Sequence, residues 1–196
     1  MKFQLIAGHP ALDLVNTLDW RFREEGAEEL LKSHGDLLEF AEQSRLPGLR
    51  NAARPNARTL QRCHKLREAI AEILYARIDG LTPGHASLKT LQQFIHAARL
   101  QQRLRWKHGR IELDFAGHDG DRVLWALSLS ASDLMLSDAI ESVRACDNPE
   151  CRWLFLDTSK NHTRRWCDMK LCGNRMKARR FKAQRRASPL NGLPDV

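Results

Sequence analysis

Residues 146–186 read CDNPECRWLFLDTSKNHTRRWCDMKLCGNRMKARRFKAQRR. Four cysteines, Cys146, Cys151, Cys167 and Cys172, follow the spacing C-x4-C-x15-C-x4-C. Two short cysteine loops held apart by a longer segment can each supply one edge of a tetrahedron around zinc. The first loop, from Cys146 to Cys151, is turn-rich, and Pro149 stiffens it. Four thiolates leave no open coordination position, so the expected ion is one structural Zn2+ and not a catalytic one. Two alternatives stand beside this reading. The thiols could be incidental buried cysteines, or ligands of an iron–sulfur cluster, although the run does not match the usual ferredoxin spacings. The fifth cysteine, Cys63, lies alone on an apolar stripe and reads as a core residue. An odd count with short paired spacings favours metal over disulfides in a chain of reducing surroundings.

The rest of the stretch supplies a frame for such a site. Trp153, Phe155 and Trp166 suggest a short hairpin in which residues 152–156 return near 164–166. A helix from about Asp168 to Ala187 would carry Cys172 in its first turn. Met169, Cys172, Met176 and Ala183 would then share a narrow face toward the metal, with Phe181 pointing away. Loop, hairpin and helix together predict a treble-clef-like module. Its charge is lopsided. Residues 1–143 hold 19 basic and 19 acidic side chains, whereas residues 144–187 hold 13 basic and four acidic ones. Even after the four thiolates are counted against one zinc, the segment stays strongly positive, which points to a polyanionic partner. Arg164, Arg165, Asn174, Arg175, Lys177, Arg179, Arg180 and Lys182 are the candidate nucleic-acid contacts. Lys and Arg would meet phosphates, while Asn174 and Arg175 are residue types that read adenine and guanine. The competing reading is a solvated cationic helix, with Asn174 buttressing the module and Gly173 allowing close packing. Arg164 and Arg165 could equally stack on rings beside Trp166.

This segment resembles the CGNR zinc finger, named for the tetrapeptide Cys172-Gly173-Asn174-Arg175, and the FLDTS and RRWC pieces agree with it. The N-terminal LDLVNT, Leu12 to Thr17, resembles the opening of the ABATE domain that precedes this finger in many bacterial proteins. The resemblance implies a stress-induced transcriptional regulator whose N-terminal domain senses a signal or forms a homodimer.

Outward from the cysteines, the preceding residues predict a multihelical domain. The stretch GHPALDLVNTLDW is ambiguous, since Leu12 and Leu14 alternate as in a strand while Leu14, Val15 and Leu18 fit a helical face. Ser33 with Asp36 reads as a helix start, with Leu37, Leu38 and Ala41 facing the core and Pro47-Gly48 ending the helix. Pro55 opens a long helix with Leu60, Cys63, Leu66, Ile70, Ile73, Leu74 and Ile78 on one stripe. Gly80 and Pro83 separate it from another bearing Leu88, Leu91, Ile95 and Ala98. Around His108-Gly109, Leu104 and Trp106 alternate before and Ile111, Leu113 and Phe115 after, a β-hairpin signal. GHDGD, residues 117–121, is a turn, and a wide apolar face from Arg122 to Val143 predicts the central buried helix.

The expected fold class is therefore α+β, mainly helical. Residues 1–143 form a helical domain with a β-hairpin, 144–187 the zinc module, and 188–196 a flexible tail. No apolar run approaches the roughly 20 residues of a membrane span, and the N-terminus is a poor signal peptide, so a cytoplasmic chain is expected. No glycine-rich phosphate loop, G-x-S-x-G or H-E-x-x-H occurs, and nothing argues for an enzyme. His9, Asp13, Asn16 and Trp20 are polar groups among leucines. They could line a small ligand pocket for an effector, or satisfy backbone groups. The expected partner is DNA. RNA or the ribosome, and a small molecule with the zinc acting only as a clamp, are the alternatives.

Overall fold

Helices form where apolar residues recur on one side, and most start at a residue able to cap them. The computed structural model describes residues 3–49, 54–116 and 120–187, the side chains at 186 and 187 excepted. The expected tail and part of the GHDGD turn lie outside the described residues, as does the Arg186 side chain. Helix α1 spans Pro10–Val15. The ambiguous stretch resolves as helix because His9, in extended conformation, accepts the Ala11 N–H through its ring, and Pro10 suits a first helical turn. Strands β1 (Leu18–Asp19) and β2 (Glu28–Glu29) pair next. Helix α2 (His34–Gln43) carries the expected reciprocal cap between Ser33 and Asp36, and it stops at Ser44, before Pro47. Helix α3 (Ala57–Ile78) is capped by Asn56, and α4 (His85–Gln101) follows the Gly80–Pro83 break.

Strands β3 (Gln102–Lys107) and β4 (Arg110–Phe115) form the predicted hairpin. Its two-residue turn takes positive φ at both His108 (51°) and Gly109 (76°), the primed geometry that follows strand twist. Phe115 roots the hairpin. It is buried, lies 5.7 Å from the Trp125 ring, and packs so closely on Gly48 that a Cβ there would sit 2.6 Å from it. Helix α5 (Arg122–Met135) is buried almost all round and packs against α1, α3 and α4, as its wide apolar face predicts.

Three expectations fail here. The helix expected over 122–143 ends at Met135. Leu136 is exposed, Ser137 turns the backbone extended, and a short 3-10 turn (Asp138–Ser142) leads into strand β5 (Val143–Ala145). The expected hairpin partner is also different. Strand β6 (Leu154–Leu156) pairs with β5 and not with residues 164–166. The reason is local: β5 and β6 flank the first cysteine loop, so that loop is itself the hairpin turn. Residue Arg165 supplies one backbone carbonyl, to Asp147 N–H at 2.9 Å. The last helix begins as a wide π turn (Met169–Gly173), then continues as α6 (Asn174–Ala187). Met169 is exposed and does not pack on the metal site as its wheel position suggested.

Among the described residues the fold is thus mainly helical, with three two-stranded antiparallel pairs and a C-terminal cysteine module. Cys63 is fully buried on α3, and burial pushes its thiol up to about 12, which fits an inert core residue. No described helix is long and apolar enough to cross a membrane.

Candidate metal centre

The first cysteine loop is held shut from inside. Cys146 N–H donates to Trp153 O at 2.9 Å, closing the β5–β6 turn. Asn148, fully buried, takes the Glu150 N–H on its Oδ1, while its backbone carbonyl receives the Cys151 and Arg152 N–H groups. Arg152 adopts φ 47° to reverse the chain into β6. After β6, the buried Asp157 organises the next loop. Its carboxylate accepts the Ser159 hydroxyl and N–H and, from the other oxygen, the Arg164 N–H at 2.9 Å. The Ser159 hydroxyl, then the backbone donors, hold Asp157 below the usual carboxylate range. The FLDTS segment is therefore a structural brace. Asp168 caps the final turn through Leu171 N–H, delivering Cys172 opposite the first loop.

All four thiols are buried, and their sulfurs lie within 4.8 Å of one another. Cys151 Sγ and Cys167 Sγ are 3.8 Å apart. A tetrahedral zinc with sulfur at about 2.3 Å places its ligands about 3.8 Å apart. A disulfide would need about 2.05 Å. The donor set therefore fits one zinc ion, held by Cys146, Cys151, Cys167 and Cys172, and the closed shell makes the site structural. Hydrogen bonds from Cys146, Cys151 and Cys167, aided by Asn148, draw Cys172 well below the usual thiol range. Cys151 and Cys167 are pushed up, first by Cys146. A bound divalent cation would stabilise thiolate at every one of these positions. Asn148 Nδ2 stands 3.6 Å from Cys172 Sγ, an outer contact that orients a ligand. Sequence reasoning missed Asn148; a polar residue inside a cysteine loop was the available signal.

The module is clamped to the helical domain rather than tethered. Asn16 accepts Leu154 N–H and donates to Leu154 O, both at 2.9 Å, as a neighbouring strand would. Leu156 N–H donates to Ala7 O at 2.8 Å, and Tyr75 OH donates to Arg152 O at 2.9 Å. Asp13 accepts Ala7 N–H, fixing the strap that receives Leu156. Burial raises the Asp13 carboxyl to about 6, against the pull of that N–H. Thr17 donates to Leu14 O and receives the buried Arg67 guanidinium, which also pairs with Glu29. Of the four N-terminal candidates, His9, Asp13 and Asn16 each engage backbone groups, and Trp20 faces a cavity. That cavity, of about 270 Å³, lies at the junction and is lined by Asp19, Trp20, Trp153, Arg175 and three of the cysteines.

The basic residues divide into two sets. Arg164 turns inward, with Nε on Trp166 O at 2.9 Å, a second bond to Cys167 O, and its guanidinium 4.3 Å from the Phe155 ring. Arg165 pairs with Asp147 at 2.6 Å, and Arg179 with Glu150 at 2.8 Å. Arg175 lies 4.4 Å over the Trp20 ring. Asn174, Lys177, Arg180 and Lys182 are exposed on α6, whose main packing partner is the preceding π turn. Gly173 is buried, and a Cβ there would meet Met169 Sδ at 2.2 Å and Trp166 Cδ1 at 3.2 Å.

Fold and site together define a helical domain joined to a closed four-cysteine zinc finger. Residues 142–185 match the CGNR zinc finger, and residues 8–138 match the ABATE family, described as "Putative stress-induced transcription regulator". The second match spans more than half of the sequence, and the chain belongs to the ABATE family. No curated protein matches it.

Proposed function

We propose that the chain is a cytoplasmic, bacterial DNA-binding regulator in which the zinc module presents α6 to a duplex. One observation carries this reading. The acids of the module are spent internally, on Arg165, Arg179, the Ser159 loop and the π turn, while Lys177, Arg180 and Lys182 project from a helix with little packing of its own. Such a helix gains most from phosphates that replace its counterions. Arg164 and Arg175 act on this reading as positioning residues, and Asn174 stays available to a base edge. No catalytic role is assigned. The zinc-loaded chain is expected to retard duplexes increasingly with length in a low-salt gel-shift series. No retardation of any duplex overturns the reading, and copurifying nucleic acid lost to RNase but not DNase moves it to RNA.

The junction cavity supports a second reading, an effector site. A small molecule between Trp20, Trp153 and Arg175 would touch both the helical domain and the finger. Its test is a ligand-dependent melting shift that Trp20→Ala abolishes.

A further inference from the structure

The β3–β4 ribbon has two unlike faces. Gln102, Leu104 and Trp106 stand opposite Phe115, Leu113 and Ile111, and this face is apolar except at Gln102. Phe115 at its root is buried, but Trp106 is 75% exposed, Leu104 69% and Ile111 63%. The other face carries Arg103, Arg105, Lys107, Arg110, Glu112 and Asp114, and its charges are largely used in place. Arg105 pairs with Asp114 at 2.6 Å, Arg110 with Glu112 at 3.0 Å, and Asp114 also receives the buried Arg122. Four basic and two acidic side chains leave this face positive, whereas the apolar face is the anomaly.

We propose that this ribbon is the contact between two copies of the chain. Trp106, Leu104 and Ile111 leave roughly 400 Å² of apolar surface in water, as much as the largest patch on an ordinary monomer. That is half of the roughly 800 Å² each partner contributes to a standard interface. The remainder lies alongside. A groove of about 680 Å³ runs between the ribbon and the segment Leu46–Leu49; Trp106 and Ile111 form part of one wall, and Arg105, Lys107, Arg110 and Glu112 line it as well, so its rim is charged. Projecting ring and receiving groove thus sit on the same patch of the same chain. A two-fold axis through that patch lets each Trp106 enter the other copy's groove, the self-complementary arrangement of an isologous dimer. The hairpin also gains what a two-stranded ribbon lacks alone, since isolated hairpins are marginal in water. The type I′ turn holds Trp106 and Ile111 directly opposite each other, so the patch is preformed.

This inference does not rest on nucleic-acid binding, and its test needs none. Sedimentation velocity of the zinc-loaded full chain is expected to give a species of twice the 22.5 kDa chain mass at micromolar concentration. Trp106→Asp is expected to weaken the dimer at least 100-fold while leaving the far-ultraviolet spectrum and melting temperature of the monomer unchanged, because the site is on the surface. Leu88→Asp, at an exposed position on α4, is expected to leave the mass unchanged. A wild-type monomer at 100 µM overturns the proposal, as does a dimer indifferent to Trp106→Asp. A monomer whose duplex affinity falls with Trp106→Asp also overturns it and reassigns the ribbon to nucleic acid.

Discussion

Replacing Asn16 by Ala should loosen the zinc module from the helical domain and destabilise the protein by about 3 kcal/mol. The magnitude follows from what is stranded. Asn16 is 4% exposed and Leu154 wholly buried, so both Leu154 backbone groups lose their partners with no water to replace them. Each stranded group costs about 1–3 kcal/mol. For a chain of this size that corresponds to a fall in Tm of about 10 °C. Urea unfolding at saturating zinc, with an unchanged denaturant slope, measures the loss. Asn16→Asp gives a signature of its own. A protonated carboxyl can accept Leu154 N–H and donate to Leu154 O, whereas a carboxylate is left against the carbonyl. The Asp variant should therefore approach wild type at acid pH and lose stability relative to it as pH rises. A cost below about 0.5 kcal/mol for the Ala variant, in a residue whose truncation should strand two buried groups, would refute the reasoning.

Metal analysis should find one zinc per chain. Removing it with a strong chelator should unfold residues near the cysteines, seen as accelerated amide exchange over β5 and β6, while the helical signal of α3, α4 and α5 is largely kept; unchanged exchange would show that the ion is not structural. Asp13 should make stability fall with rising pH. Its native carboxyl, raised to about 6 by burial, holds a proton that the unfolded chain has already lost, so the contribution is complete below about pH 4 and lost as pH rises through 6. The span is about 3 kcal/mol at most. Asp13→Asn should flatten the slope between pH 4 and 6 in urea titrations, and an unchanged slope would assign that dependence to another group.

Legibility in the sequence varied with the range of the physics. Elements decided by neighbours a few residues apart were readable: the Ser33–Asp36 cap, the α3 stripe with Cys63, the His108-Gly109 turn and the cysteine spacing. Pairings decided by distant partners were not. Residues 152–156 alternate correctly for a strand, but nothing local says that their partner precedes Cys146 and not Trp166. The end of α5 was hidden for a similar reason, because Ile140 and Val143 continue an apolar pattern that serves a 3-10 turn and a strand. The LDLVNT segment shows a further limit. His9, Asp13, Asn16 and Trp20 could be read either as pocket lining or as backbone partners, and Asp13 and Asn16 engage the backbone of a strap and of a strand 138 residues away. The basic run was legible as charge, but not as two sets. The positions of Asp147, Glu150, Phe155 and Trp20 show which cations have partners within the module.

The division between committed and projecting cations is the claim that most needs measuring. The decisive experiment is the salt dependence of duplex affinity for the zinc-loaded chain and for a variant carrying Lys177→Gln, Arg180→Gln and Lys182→Gln. If these three side chains meet phosphates, the slope of log affinity against log salt should shrink by up to about 2.7, at about 0.9 per lost contact. A slope unchanged in the triple variant, or no duplex binding at low salt by the wild-type chain, would contradict the account.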